Sequence, residues 1–196
     1  MRAISAMASM QPAEALGFAE LGHRVMDALE ALPQPVIAAV NGFALGGGME
    51  LAMSCDILLA SDNARFGQPE VNIGVMPGFG GSQRLPRRVP FGIAAEILLS
   101  GDNVTAADAL RIGLVNRVLP LADLVADAKK LAHKMASRAP VAVAKTKQAL
   151  HTSRQASLAD GNAQERQLFS ELFATADQKE GMRAFLDKRP PSYQGK

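Results

Sequence analysis

Hydrophobic positions recur at three- and four-residue steps from Phe18 through Leu21, Val25, Leu29 and Leu32. This is a helical period that opens at Pro12 and is stopped by Pro33 and Pro35. The pattern then changes. VIAAVNGFAL, from Val36 to Leu45, is apolar and partly β-branched with no helical period, and it runs into Gly46, Gly47 and Gly48. It predicts one buried strand ending in a turn. MELAMSC returns to helical propensity, ILLAS from Ile57 to Ser61 predicts a second buried strand, and Ala64 to Gly67 a short third one. Strand, glycine turn, helix, strand is a β-α-β pattern.

Between Val71 and Pro90 glycine and proline are too dense for regular structure, except for one helix over Gly81 to Arg88. That stretch is expected to be a functional loop region or a linker. Gly92 to Ser100 reads as a helix, and Thr105 caps another over Ala106 to Ile112. Gly113 ends that helix before the strand LVNRVLP. From Leu121 the pattern is helical throughout: Leu124, Ala128, Leu131 and Met135 form one stripe, Val141 to Leu150 a second, and Leu168, Leu172 and Phe173 a third. Met182, Phe185 and Leu186 follow near the end. The expected architecture is α/β in the first two thirds and helical in the last, with a core over 1–120 and a helical region over 121–196.

Composition narrows the class. At 196 residues and 48% hydrophobic content, the chain suits one compact domain with extensions. Its 21 basic and 19 acidic residues leave a net charge of +2, which gives no electrostatic case for nucleic acid. A lone Cys55 excludes an intramolecular disulfide, no leader pattern is expected at the start, and the apolar runs IAAV and ILLA fall far short of a membrane span. The expectation is a cytoplasmic protein with no membrane partner.

The candidate chemistry rests on two acids, Glu50 in GFALGGGMELAMSCD and Glu70 in ARFGQPEVNIGVMPGFGG. Each follows a glycine- or proline-bearing turn and sits among apolar residues, so each carboxylate is expected in a partly dry crevice suited to acid/base work. The three glycines let backbone approach a ligand closely, or serve only as a tight packing turn. They lack the spacing of a dinucleotide fingerprint, and no Lys followed by Ser or Thr makes a P-loop. A carboxylate in the first turn of a helix also has a structural use against the helix dipole. The pair is what favours catalysis: two acids, each in a glycine-rich, apolar surround on consecutive β-α units, as a general acid/base pair requires. His23, His133 and His151 show no ligand spacing, and no metal is expected.

PVIAAVNGFALGGGMELAMSCDILLASDNARFGQPEVNIGVMPGFGGSQRLPR resembles the signature core of the crotonase superfamily, specifically the enoyl-CoA hydratases. The likeness continues through LSGDNVTAADALRIGLVNRVLP and the FATADQKEGMRAFLDKRPP ending. It implies a spiral of β-β-α units followed by a helical C-terminal region that makes trimers, paired into hexamers. It implies addition of water to a trans-2-enoyl-CoA to give a 3-hydroxyacyl-CoA. No cofactor is implied, since coenzyme A is part of the substrate. By position, Glu50 matches the acid that activates water and Glu70 the acid that delivers the α-proton. Gly47 matches the backbone N–H donor to the thioester enolate, and Gly78 the N–H that helps hold the water. Gly46, Met49, Pro77 and Lys188 match substrate-binding positions. The basic cluster Arg84, Arg87 and Arg88 either meets phosphate or solvates a loop, the second being the expectation.

One part of the family pattern has no match. Family members carry an AGADI-like motif, which supplies the second enolate donor, ahead of the first amphipathic helix. MRAISAMASMQPAEAL reads like the stretch just after it. The expectation is an N-terminally truncated chain with uncovered strand edges. That leaves two alternatives to hydration: a scaffold that binds CoA or assembles with relatives, and an isomerase using Glu70 alone.

Overall fold

The computed structural model describes residues 2–196. By packing, the chain divides into two units. One runs to Ala31 and resumes over Ile37–Leu124; the other comprises Leu32–Val36 and Val125–Lys196.

The first unit opens with helices α1 (Arg2–Met7) and α2 (Pro12–Ala31). The apolar run that follows is not one strand, as its composition suggested, but two: β1 (Ile37–Val40) and β2 (Phe43–Leu45), separated at Asn41 and Gly42. The two belong to different sheets. After helix α3 (Gly47–Met53), the chain repeats the device with β3 (Ile57–Ser61) and β4 (Arg65–Gly67), turning at Asp62–Ala64. β1 pairs with β3 in parallel, β2 pairs with β4 in parallel, and Arg65 N–H bonds the Gly42 carbonyl across the corner. Both strand pairs thus bend at the same level. A bend of this kind leaves no mark on hydrophobicity, because residues on either side of it stay apolar.

A 3₁₀ turn (Pro69–Ile73), α4 (Gly81–Arg84), a second 3₁₀ turn (Leu85–Arg87) and α5 (Phe91–Ser100) follow. The helix expected over Gly81 to Arg88 is therefore one α-helical turn that tightens at Pro86. β5 (Val104–Thr105) pairs antiparallel to β4, and Thr105 caps α6 (Ala106–Arg111) by accepting from Asp108 N–H at 3.1 Å. β6 (Arg117–Leu119) completes the first sheet in the order β1-β3-β6. Successive β-β-α turns thus wind into a spiral, with β1 and β2 as edge strands. Its core is filled by Phe66, Met49, Met53, Leu58, Leu85 and Leu114, all buried.

The second unit holds the body of α7 (Leu124–Ala136) and all of α8 (Pro140–Thr152), α9 (Leu158–Leu172) and α10 (Ala176–Leu186). Lys147, buried on α8, donates from Nζ to the Gln34 carbonyl at 3.0 Å. The tail after α10 folds back on it: Asp177, 2% exposed, accepts from the N–H groups of Gln194 and Gly195 at 2.7 and 2.8 Å. Among the described residues no helix is long and apolar enough to cross a membrane.

Candidate active site

The parallel pairing of β2 and β4 sets Leu45 opposite Gly67. The segments leaving those two strands therefore start side by side, and they carry Glu50 and Glu70. Gly46 N–H bonds the Gly67 carbonyl at 2.9 Å, extending the pairing by one residue before the chain turns into α3. That turn demands φ +53 and ψ −125 at Gly46, a conformation open to glycine and closed to L side chains.

Both acids close on the Gly46–Gly47 peptide. A methyl at Gly46 would lie 2.6 Å from Glu70 Oε1, and one at Gly47 would lie 4.0 Å from Glu50 Oε2. Glu50 is 1% exposed, in the first turn of α3 among Met49, Ala52 and Met53. Its Oε1 accepts from the N–H groups of Phe79 and Gly81, each at 2.8 Å, which answers the cost of burying a carboxylate. Oε2 faces Gly47.

Glu70 lies in the first turn of the Pro69–Ile73 turn and is half-buried. Its carboxyl is pushed above the ordinary 4.5, chiefly by burial and further by the charge of Glu50, against the opposing pull of a hydrogen bond to its own backbone. Fully buried Gln68 stands beside it. With its amide nitrogen turned toward Glu70, Gln68 donates to Oε1 and Oε2 at 3.2 and 3.1 Å.

The remaining expected positions distribute unevenly. Gly78 is exposed in the turn after buried Pro77, one residue before the Phe79 N–H that binds Glu50. Met49 is fully buried in the core, whereas Met76 is 64% exposed. Lys188 belongs to the second unit, just past α10, with φ +54. The Phe79 ring packs 3.5 Å from where a Gly47 methyl would be, close over Gly22 of α2, and 5.2 Å from the Phe18 ring centre. His23 also comes near, its Cε1 3.4 Å from where a Gly80 methyl would sit. Among the described residues no group of three or more His, Cys, Asp or Glu side chains is arranged to hold a metal.

The arginine cluster does not simply solvate a loop. Arg84 is only 11% exposed and binds Glu30, Asp27 and the Phe79 carbonyl. Arg88 donates to the carbonyls of Met53 and Cys55, tying the end of α3. Of the three, Arg87 comes closest to the solvated reading, being exposed and held to Gln83. A charged residue with internal partners has the same letter as a solvated one, so composition misreads it. The Phe79 and Gly81 donors and Gln68 were also not anticipated. Their only sequence signal is their place beside the acids, in FGQPE and PGFGG.

A model of the enoyl-CoA hydratase/isomerase family matches residues 3–196. Over 186 residues the chain is 52% identical to the short-chain-enoyl-CoA hydratase of Clostridium acetobutylicum, covering 95% of this chain and 71% of that relative. It is 47% identical over 190 residues to the crotonyl-CoA hydratase of Syntrophomonas wolfei, covering 97% and 73%. A solved structure of enoyl-CoA hydratase subunit I from Geobacillus kaustophilus superposes with a TM-score of 0.93 at 44% identity, covering 98% of this chain and 74% of that one. With two carboxylates closing on one glycine peptide at the head of a β-β-α spiral, and with these likenesses along nearly its whole length, the chain belongs to the enoyl-CoA hydratase/isomerase family.

Proposed function

We propose that this chain hydrates a trans-2-enoyl-CoA to a 3-hydroxyacyl-CoA. The observation that carries the reading is the convergence of Glu50 and Glu70 on the Gly46–Gly47 peptide, with different environments for the two acids. The names of the two relatives above point the same way, toward short acyl chains.

In this reading water stands between the acids, steadied by the Gly78 N–H. Glu50 Oε2 takes a proton from the water as its oxygen bonds C3 of the enoyl group. The C2–C3 π pair moves toward the thioester, whose oxygen gains negative charge and is met by the Gly47 N–H; one such donor is worth about 10²–10³ in rate. Glu70, whose proton is held more firmly by burial, gives it to C2. Exchange of protons with solvent then resets the pair. Coenzyme A enters and leaves as part of the substrate, with Gly46 and Pro77 at the matching substrate positions of the first unit. Assembly as a trimer or a pair of trimers through the helical second unit, and residence in a reducing cytoplasm that keeps buried Cys55 a thiol, complete the reading.

The test is the loss of enoyl absorbance when the purified chain meets crotonyl-CoA, with Glu70→Gln and Glu50→Gln beside it. Turnover abolished in both variants supports a two-acid hydratase. Survival of double-bond migration in Glu50→Gln with hydration lost points to a one-acid isomerase. A folded chain with no turnover at all overturns the reading in favour of a binding scaffold.

A further inference from the structure

The turn that holds Glu50 is itself held from the other side. Three consecutive peptide groups run from Gly78 to Gly81. The first and third present the N–H of Phe79 and the N–H of Gly81 to Glu50 Oε1, each at 2.8 Å. The middle one, between Phe79 and Gly80, sends its carbonyl to Arg84 Nη1 at 2.7 Å. The same guanidinium reaches Glu30 Oε1 from Nε at 2.8 Å and Asp27 Oδ1 from Nη2 at 3.1 Å, both on α2. Glycine at position 80 is what admits it: φ is +100 there, and a methyl would lie 2.1 Å from Nη1.

Resting on the hydratase reading, we propose that Arg84 is a positioning residue for Glu50, acting through the backbone of this turn. Glycines at 78 and 80 flank Phe79, so its two neighbouring peptide planes rotate with little steric resistance. The middle plane joins the two planes that carry the Phe79 and Gly81 N–H groups, so its rotation changes ψ of Phe79 and φ of Gly80 and loosens the alignment of both donors on Glu50. The guanidinium blocks that rotation by giving the Phe79 carbonyl a charged donor that is itself clamped to α2. Its planar fork spans the carbonyl and both carboxylates at once, which a lysine ammonium on a flexible stem does not reproduce. Asp27 is 66% exposed and Glu30 24%, so Glu30 is the stronger of the two clamps.

The experiment compares the native chain with Arg84→Met and Arg84→Lys by two readouts. The first is amide hydrogen exchange at Phe79 and Gly81, with Leu59 and Ala60 of β3 as internal reference. The second is kcat and KM on crotonyl-CoA. The expected result for Arg84→Met is exchange at least tenfold faster at Phe79 and Gly81 with the β3 amides unchanged. Its kcat falls at least tenfold while KM stays within threefold. Arg84→Lys falls between, and decides the matter by the same measures if the methionine variant does not fold. Unchanged exchange at the two turn amides, or acceleration that spreads equally to β3 in both variants, overturns the proposal. A native chain without turnover counts against the hydratase reading alone; exchange at Phe79 and Gly81 then decides the role of Arg84 by itself.

Discussion

Of the glycines before Glu50, Gly46 and Gly48 occupy very different environments, and replacing each by alanine separates them. At Gly46 the added methyl meets Glu70 Oε1 at 2.6 Å, where ordinary contact begins near 3.4 Å, and the backbone sits at φ +53, ψ −125. Relief requires the Glu70 carboxylate to retreat by about 0.8 Å, and misplacement of a catalytic group by ~1 Å costs on the order of 10²-fold in rate. The backbone strain adds about 1–3 kcal/mol against folding. For a chain of this size each kcal/mol moves Tm by about 2–4 °C, so Gly46→Ala is expected to melt roughly 2–12 °C lower. Gly48 lies exposed on α3 with nothing within 4 Å of its added methyl. Gly48→Ala should gain about 0.5–1 kcal/mol from lower backbone entropy in the unfolded chain, with turnover kept. Crotonyl-CoA turnover and a thermal melt on both variants check the pair. Equal behaviour of the two, or full activity in Gly46→Ala, refutes the packing of Glu70 against the Gly46 backbone.

Three further outcomes follow from named contacts. Glu50→Ala leaves the buried N–H groups of Phe79 and Gly81 without their acceptor, at about 1–3 kcal/mol each, whereas Glu50→Gln keeps an acceptor. Denaturant melts should place the alanine variant well below the glutamine one although both lack hydratase turnover. Glu70, whose carboxyl is raised above 4.5, binds its proton more tightly in the folded chain than in the unfolded one. Stability from the protonated form is complete below the unfolded value and is lost as pH rises through the folded one. Glu70→Gln, never charged, is therefore expected to melt above the parent at about pH 8. The gap should close below pH 4.5, and a gap independent of pH would contradict the burial argument. Asp177→Ala strips the acceptor from Gln194 and Gly195 at about 2 kcal/mol of local stability, so limited proteolysis should cut the 188–196 tail first and at least tenfold faster than in the parent.

What the sequence determined by itself is whatever depends on neighbours along the chain. The period of Phe18 to Leu29 sets α2, the short apolar run ILLAS sets β3, the Thr105 hydroxyl caps α6, and the motifs around Glu50 and Glu70 mark the chemistry. Only the tertiary structure decided where those pieces meet. The corner at Asn41 and Gly42 exists because β1 and β2 find partners in two separate sheets, and no local propensity records a partner. The two acids converge because β2 and β4 pair in parallel with Leu45 opposite Gly67, a register chosen by strands twenty-two residues apart. Arg84 shows the same limit in a single side chain: its letter is that of a solvated cation, and its function as a clamp comes from α2, from Phe79 and from the missing side chain of Gly80. Local physics writes elements and candidate groups into the order of residues, while geometry between groups is fixed by non-local pairing and burial.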